Sequence, residues 1–254
     1  MPGAMTQYHS ATFRVLKTEP QVSPAAVADV ESAERRLGFR LPTSVYEWYC
    51  LENAIDILAR HSNDDRPIPP GDFAVVEWQA NKLIPVKIEN QGVCVWAVML
   101  DGSDDPPVLV DVDSHGAQWN MQAPTFSAYV YACVWDYVFV LRQPALVQAQ
   151  NEQLSSEASN RLRDLFTEQP PTFSWPGSTQ RRFAGKDNAV LIWDGGGQDV
   201  WPGGGQADWF VGAANATSLE SALRAVWEID NVGRSFYDCD EIGRSVLRQI
   251  RGEK

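Results

Sequence analysis

The architecture of this chain is best approached from one segment, Glu89-Asn90-Gln91-Gly92-Val93-Cys94-Val95-Trp96-Ala97-Val98-Met99-Leu100, in which a polar turn precedes an almost unbroken apolar run. A run this short, rich in valine and closed by Asp101-Gly102, is typical of a strand buried on both faces. We therefore expect it to lie centrally in a sheet. Amphipathic helices, predicted over about residues 23–60 and 124–141, would cover that sheet.

The helices before and after this strand have recognisable ends. Ser23 is a good N-cap, Pro24 suits the first helical position, and Gly38 offers a left-handed stop. Leu41-Pro42 begins a second helix that continues to about residue 60. After the strand, apolar residues recur at helical spacing from Phe126 to Leu141, which predicts the best-defined helix of the chain.

Short strands separated by turns predict a mainly antiparallel sheet. Phe73 to Trp78, Leu83 to Ile88 and Pro107 to Val112 have strand composition, and their connections are too short for crossover helices. Residues Tyr8 to Lys17 predict only a short edge strand or an unpacked arm. The fold class we expect is α+β, with a mostly antiparallel sheet covered by helices.

The second half of the chain, residues 142–254, predicts an α/β extension of a first domain that covers residues 22–141. Thr217-x-x-Glu220 reads as a capping box that opens a helix, and a last helix follows Tyr237. Two interpretations stay open: the extension packs on the same sheet and core, or it is a degenerate repeat of the first half. The predicted elements before the capping box are a helix from Glu152 to Glu168, ended by Gln169-Pro170-Pro171, and strands at Arg181–Ala184, Ala189–Trp193 and Asp208–Gly212.

Charge and hydropathy limit the partners. The chain of 254 residues carries a net charge of −12, and residues 43–113 contain four basic side chains against thirteen acidic ones. Such a field repels nucleic-acid phosphates and attracts basic surfaces. No apolar segment is long enough to span a membrane, and the N-terminus lacks the pattern of a signal peptide. We expect a cytoplasmic protein that binds neither nucleic acid nor membrane.

No motif predicts a metal site, a cofactor or a catalytic centre. The four cysteines, Cys50, Cys94, Cys133 and Cys239, are widely separated, so free thiols are favoured over disulfides or zinc. Asp111-x-Asp113-x-His115 lacks the glycine and glutamate of a calcium loop and is interpreted as a polar turn. The triple glycines at 195–197 and 203–205 are followed by a strand-like run instead of a helix, which excludes a phosphate loop.

Several of these elements together resemble the SUKH superfamily, named partly for the yeast cell-wall-synthesis regulator Knr. The resemblance covers about residues 22–141 and rests on the motifs Arg36-Leu37-Gly38, Leu41-Pro42, Asn90-Gln91-Gly92 with Trp96, and Thr125-Phe126-Ser127. It implies helices packed against a mostly antiparallel sheet. In bacteria it implies immunity proteins that neutralise polymorphic toxins, and in fungi it implies regulatory scaffolds. The family has no common catalytic residue, and the long C-terminal extension departs from its pattern.

The functional prediction is therefore a non-catalytic binding module, most simply an immunity protein that covers a basic toxin domain. Acidic residues would speed and select the encounter, and aromatic anchors would supply affinity. A cytosolic scaffold for endogenous proteins is the alternative, and a hydrolase assembled from distant residues such as His115 is the third. The predicted partner-binding residues are Asp101, Asp104, Asp105, Asp111, Asp113, Trp78 and Trp119, with Trp201 as a further exposed anchor.

Overall fold

The structure is a computed structural model that describes residues 7–112, 118–173, 178–195 and 205–253. The chain divides into two compact units, one ending at Trp135 and the other beginning at Asp136. Each unit contains a six-stranded sheet, and the paired strands are antiparallel. Neither sheet closes into a barrel, so the α+β prediction is confirmed.

The first unit places four helices before its sheet and one after it. Its strand order is β1-β3-β4-β5-β6, with β2 paired to the outer side of β3. The elements are α1 (Ser10–Leu16), α2 (Pro24–Leu37), α3 (Thr43–Tyr49), α4 (Ala54–Arg60), β1 (Arg66–Pro67), β2 (Val76–Trp78), β3 (Asn81–Ile88), β4 (Val95–Met99), β5 (Val108–Asp111), β6 (Trp119–Ala123) and α5 (Phe126–Asp136).

The apolar run before Leu100 forms the central strand, as predicted. β4 pairs with β3 on one side and with β5 on the other. Ala97 and Val98 point to opposite faces of the sheet, and their exposed fractions are 0% and 1%. Because both faces are covered at these positions, only apolar side chains of modest size are accommodated there.

The N-terminal segment is a packed helix, so the prediction of an edge strand or an unpacked arm was wrong. The backbone N–H groups of Gln7, Tyr8 and His9 all donate to the Glu47 carboxylate of α3, at distances of 2.9 to 3.0 Å to the nearer oxygen. This carboxylate occupies the start of α1, where unpaired N–H groups need acceptors. The acceptor lies about forty residues away in sequence, which is why local pattern did not indicate it.

The ends of the other helices follow the sequence signals only in part. Ser23 Oγ accepts the Ala26 N–H at 3.3 Å, and Gly38 adopts a left-handed φ of 81°, as expected for the ends of α2. The predicted single helix after Leu41-Pro42 is two helices, because Asn53 has a φ of 60° between α3 and α4. The predicted strand from Phe73 begins only at Val76.

The second unit begins with a π-helical turn and ends with the helix α8. Its strand order is β12-β7-β11-β10-β9-β8. The elements are the π-turn Tyr137–Leu141, β7 (Ala145–Glu152), α6 (Ser156–Leu165), β8 (Thr167–Phe173), β9 (Thr179–Ala184), β10 (Asn188–Asp194), β11 (Gln206–Ala213), α7 (Ala216–Val226), β12 (Phe236–Asp238) and α8 (Glu241–Arg251).

This unit has its own sheet and its own core, so the prediction that it extends the first sheet was wrong. The core joins one face of the sheet to α6, α7 and α8 through residues such as Leu162, Trp209 and Leu223, each fully buried. Three of its strands, β7, β8 and β12, were not predicted. Pro170 and Pro171 lie inside β8, where an edge strand with a register shift tolerates prolines that have no N–H to donate.

The two units share one strand–helix arrangement. Trp119 on β6 and Trp209 on β11 each precede a helix cap by six residues. Thr125 Oγ1 accepts the Ala128 N–H at 3.1 Å, and Asn215 Oδ1 accepts the Ser218 N–H at 2.9 Å. Asn215 is therefore the N-cap of α7, and the predicted cap at Thr217 was wrong. The correspondence supports a degenerate repeat for this element; beyond it the repeat stays a prediction.

Candidate interaction surfaces

The acidic turn, defined as residues 101–105, connects β4 to β5. Asp101 and Asp104 are exposed. Asp101 Oδ1 accepts the backbone N–H of Ser103 at 2.9 Å and its hydroxyl at 2.7 Å. The Asp104 carboxylate accepts the hydroxyl of Thr43 at the start of α3. Both carboxylates thus reach solvent and also hold local structure.

Asp105 is committed more deeply to the fold than its two neighbours. Its side chain is partly buried and accepts the Ser127 N–H at 3.0 Å and the Ser127 hydroxyl at 2.5 Å. These bonds fix the first turn of α5, where a negative charge is favoured by the helix dipole. The Asp105 carboxylate, which was predicted to attract a partner, therefore stabilises α5 within the molecule.

Two predicted contact residues are buried, which corrects the sequence-based surface. Asp111 is 1% exposed and Trp119 is 7% exposed, and they face each other across β5 and β6. The error arose because β6 was not predicted, so Trp119 was assigned to a polar turn. Asp113, His115 and Trp201 lie outside the described residues. Asp111 and Trp119 therefore do not belong to a docking surface.

An apolar patch on the first sheet contains the remaining predicted anchor, Trp78. This first-sheet patch packs over fully buried Leu83 and Ala97. The Leu100 N–H donates to the Lys82 carbonyl at 2.8 Å, so the chain leaves β4 next to the start of β3. The acidic turn therefore begins beside Asn81, and Asn81 is the cross-strand partner of Trp78. Trp78 and the acidic turn therefore lie at one end of the sheet. The partly exposed members of the patch are Val76, Trp78, Val95, Met99 and Met121, the last 43% exposed.

A second patch, which sequence reasoning missed, lies on the sheet of the second unit, on the face opposite its helices. Tyr237, Gln148 and Phe210 are direct cross-strand neighbours in one row, and Gln150, Asp208 and Trp193 are neighbours in the next. Tyr237 is 51% exposed and Trp193 is 37% exposed, whereas Phe210 is buried beneath the Trp193 ring. These six residues are named the second-sheet patch. Alternation along Asp208-Trp209-Phe210 was the sequence signal that could have found it.

Three buried polar clusters stabilise the units. The Lys87 ammonium contacts Asp65 at 2.8 Å and lies 4.0 Å from the centre of the Trp96 ring. The Arg182 guanidinium binds Asp136 with two contacts, at 2.6 and 2.8 Å, and its side chain is 0% exposed. Burial raises the pKa of Asp136, and the Arg182 charge opposes that rise. Such pairs are typical of structural cores.

The third cluster surrounds His9, which is 0% exposed. Its Nε2 lies 2.9 Å from the Ser44 carbonyl, and its ring packs against Trp48. Burial lowers the pKa of His9 to about 4, and burial raises the pKa of the neighbouring Glu47. His9 is therefore neutral at pH 7, with Nε2 as the protonated nitrogen that donates to the carbonyl.

The residues that the structure describes do not form a metal-binding cluster. Within them no three His, Cys, Asp or Glu side chains come together as metal ligands. A cleft of about 330 Å³ includes His61 and Glu52 in its lining, but neither serine nor cysteine contributes to it. Burial raises the pKa of Cys50 and of Cys94 to about 11, so both thiols stay protonated and unreactive.

Comparisons with known proteins gave no relative. A scan against protein-family models, a search of curated proteins and a search of solved structures each found no match. Over the described part of the chain, every helix is too short or too polar to cross a membrane.

Proposed function

We propose that this protein is a non-catalytic binding module that neutralises a bacterial toxin domain with a basic surface, as a cytoplasmic immunity protein. The observation that carries the proposal is the placement of Trp78 and the exposed Asp101 at the same end of the first sheet. An aromatic anchor beside an exposed carboxylate offers both affinity and charge selection to one partner surface.

The apolar part of this surface supports a protein partner. Met121, at 43% exposed, and the partly exposed Met99 extend the contact area away from Trp78 across the strands. Methionine side chains adapt to the shape of a partner at little cost, because they are unbranched and polarisable. An exposed apolar area bordered by charge is typical of docking surfaces on monomeric proteins.

The acidic part supports a basic partner. The first unit contains nine Lys and Arg against seventeen Asp and Glu, a net charge of −8. Lys87 is buried against Asp65, so this pair adds nothing to the net charge of the surface. Long-range attraction of a basic domain should therefore speed association, and salt should slow it.

The binding probe that tests this proposal is the C-terminal domain of the protein encoded immediately upstream of this gene. Trp78→Ala should weaken binding about thirtyfold, the effect of removing a hot-spot tryptophan. Asp101→Lys with Asp104→Lys should reduce the association rate about tenfold and lower its salt dependence. Surface plasmon resonance at several salt concentrations measures both quantities.

Matched controls come from the second unit. Leu165→Ala removes an apolar side chain that is 47% exposed, and Asp164→Lys reverses an exposed charge. Neither should change the dissociation constant. If the upstream domain binds the wild type and all variants equally, this surface is not the contact. If it does not bind at all and its toxicity to cells is not relieved by this protein, the immunity function is wrong.

A further inference from the structure

Among the residues that the structure describes, the second-sheet patch is left uncovered at three side chains. The π-turn covers the neighbouring part of the same face. Its Val140 lies so close to the sheet that a Cβ added to Gly212 would be 2.6 Å from Val140 Cα. Beyond that cover, Trp193, Tyr237 and Gln150 are exposed on adjoining rows of the sheet. Large exposed aromatic side chains on a strand otherwise rich in buried residues are uncommon unless they contact a partner.

The polar groups of the patch are held in place. Gln150 Nε2 donates to Asp208 Oδ1 at 3.3 Å, and the Tyr237 hydroxyl donates to Gln148 Oε1 at 2.9 Å. Asp208 is the direct cross-strand neighbour of Trp193, so their Cβ atoms are about 5 Å apart. A planar cation stacked on the Trp193 ring would therefore lie within reach of the Asp208 carboxylate.

The charge on this face selects a cation. Asp208 is partly buried, and the exposed Glu152 lies one row further along the same face. Among the described strand residues of this face, the only Lys or Arg is Arg182, which is fully buried and bound to Asp136. The described strands of this face thus present carboxylates without exposed basic side chains, a charge that repels phosphates.

We propose that the second-sheet patch binds an arginine side chain of a protein partner, with the guanidinium stacked on Trp193 and paired with Asp208. Arginine fits better than lysine because its guanidinium is flat, is weakly hydrated and donates two parallel hydrogen bonds to one carboxylate. The inference rests on the proposed function for the presence of a protein partner, and it adds the chemical group that this partner presents.

The test uses the full chain labelled with ¹⁵N and a blocked Gly-Arg-Gly peptide as the probe. The indole N–H signal of Trp193, assigned by its loss in Trp193→Phe, should shift on titration. Asp208→Asn should weaken binding about tenfold, because the charged partner of the guanidinium is lost. A blocked Gly-Lys-Gly peptide should bind more weakly than the arginine peptide.

Controls separate this site from general acidity and from folding defects. Asp164→Asn removes an exposed charge on α6 and should leave the titration unchanged. Trp193→Tyr keeps a ring for stacking and should retain measurable binding, followed in these variants at the backbone N–H signal of Asp208, whereas Trp193→Leu should remove it. Equal binding by wild type and Asp208→Asn would overturn the assignment.

A neutral trisaccharide is the competing ligand. If maltotriose shifts the Trp193 signal and the arginine peptide does not, the patch is a glycan site and the inference is wrong. Failure of the peptide to bind would overturn the arginine site but not the contact at Trp78 and Asp101, because that contact is measured separately with the upstream domain. A toxin-binding failure together with peptide binding would instead reject the immunity function alone.

Discussion

The two sheets each bury one basic side chain, and they satisfy it in different ways. Lys87 on β3 has one ionic contact, to Asp65, and otherwise faces the rings of Trp96 and Tyr129. Arg182 on β9 has hydrogen bonds from its guanidinium nitrogens to Asp136 and to two further residues, Thr172 and Gln180. The first site relies on aromatic faces and the second on a network of oxygen acceptors.

The difference shows what each cation requires. An ammonium is a compact charge that a carboxylate and two ring faces can surround. A guanidinium has a flat fork of five N–H groups, each of which needs an acceptor once water is excluded. The Arg182 site should therefore tolerate substitution less well than the Lys87 site.

The largest effect is expected at Asp136. Asp136→Ala leaves the Arg182 charge buried without its bidentate partner, and it should lower the free energy of unfolding by about 4 kcal/mol. Urea denaturation followed by circular dichroism measures the change. The double variant Asp136→Leu with Arg182→Met removes both charges and should recover most of the loss. Equal instability in the single and double variants would mean that the pair is not the cause.

A smaller loss, about 3 kcal/mol, is expected for Lys87→Met. Methionine keeps the contact with Trp96 and Tyr129 but leaves the Asp65 carboxylate, whose side chain is 7% exposed, without its cation. Lys87→Met combined with Asp65→Leu should be more stable than Lys87→Met alone. A Lys87→Met loss larger than that of Asp136→Ala would reverse the proposed ranking of the two sites.

The buried His9 of the first unit predicts that the free energy of unfolding depends on pH. Because the pKa of His9 is lowered from 6.5 to about 4 in the folded state, the unfolded state takes up the proton first as the pH falls. Stability is thus full above pH 6.5 and decreases toward pH 4, by about 2 kcal/mol between pH 7 and pH 5. Glu47 and Asp105 are the charged groups near this ring.

The measurement compares urea unfolding of wild type and His9→Phe at several pH values. The variant keeps an aromatic ring against Trp48 and should lack this part of the slope, whatever its absolute stability. The raised pKa of Glu47 changes the free energy of unfolding with pH in the opposite direction. This contribution is present in both proteins and cancels when their pH slopes are subtracted. Identical slopes for wild type and His9→Phe would contradict the assignment.

The smallest of these changes in stability is expected at Asp105, which holds the fold, in contrast to the exposed Asp101 of the same acidic turn. Asp105→Ala removes the acceptor that holds the first turn of α5 and should cost about 1 kcal/mol, as for the loss of a helix cap. Asp101→Ala should change the free energy of unfolding by much less, because its bonds lie within an exposed turn. Thermal unfolding of both variants measures the two changes in stability. Equal losses of stability would contradict a structural role for Asp105 that Asp101 lacks.

The fold was predictable wherever a local pattern was strong. The capped helix α2, the central strand β4 and the helix from Phe126 all appear where expected. The strands β6 and β7 were missed, although Trp119 to Ala123 alternates strictly between apolar and polar residues and was a usable signal for β6. Their state is set by pairing with neighbours already in a sheet, a non-local interaction.

The candidate site was predictable in part. Asp101, Asp104 and Trp78 keep some exposure, as the sequence suggested, whereas Asp111 and Trp119 are buried. An aspartate next to a turn has the same local pattern whether it faces solvent or a neighbouring strand. The second-sheet patch needed the register of four strands, which places Trp193 beside Asp208.

The α+β class, the central apolar strand, the acidity and the helix signals at Ser23 and Gly38 follow from the amino-acid sequence, because each depends on neighbouring residues or on composition. Three features come from tertiary contacts: the chain forms two separate sheets, Glu47 holds the N-terminal helix, and Arg182 is buried against Asp136. These features join residues tens of positions apart, and burial with hydrogen bonding between distant segments leaves no periodic signal in the sequence.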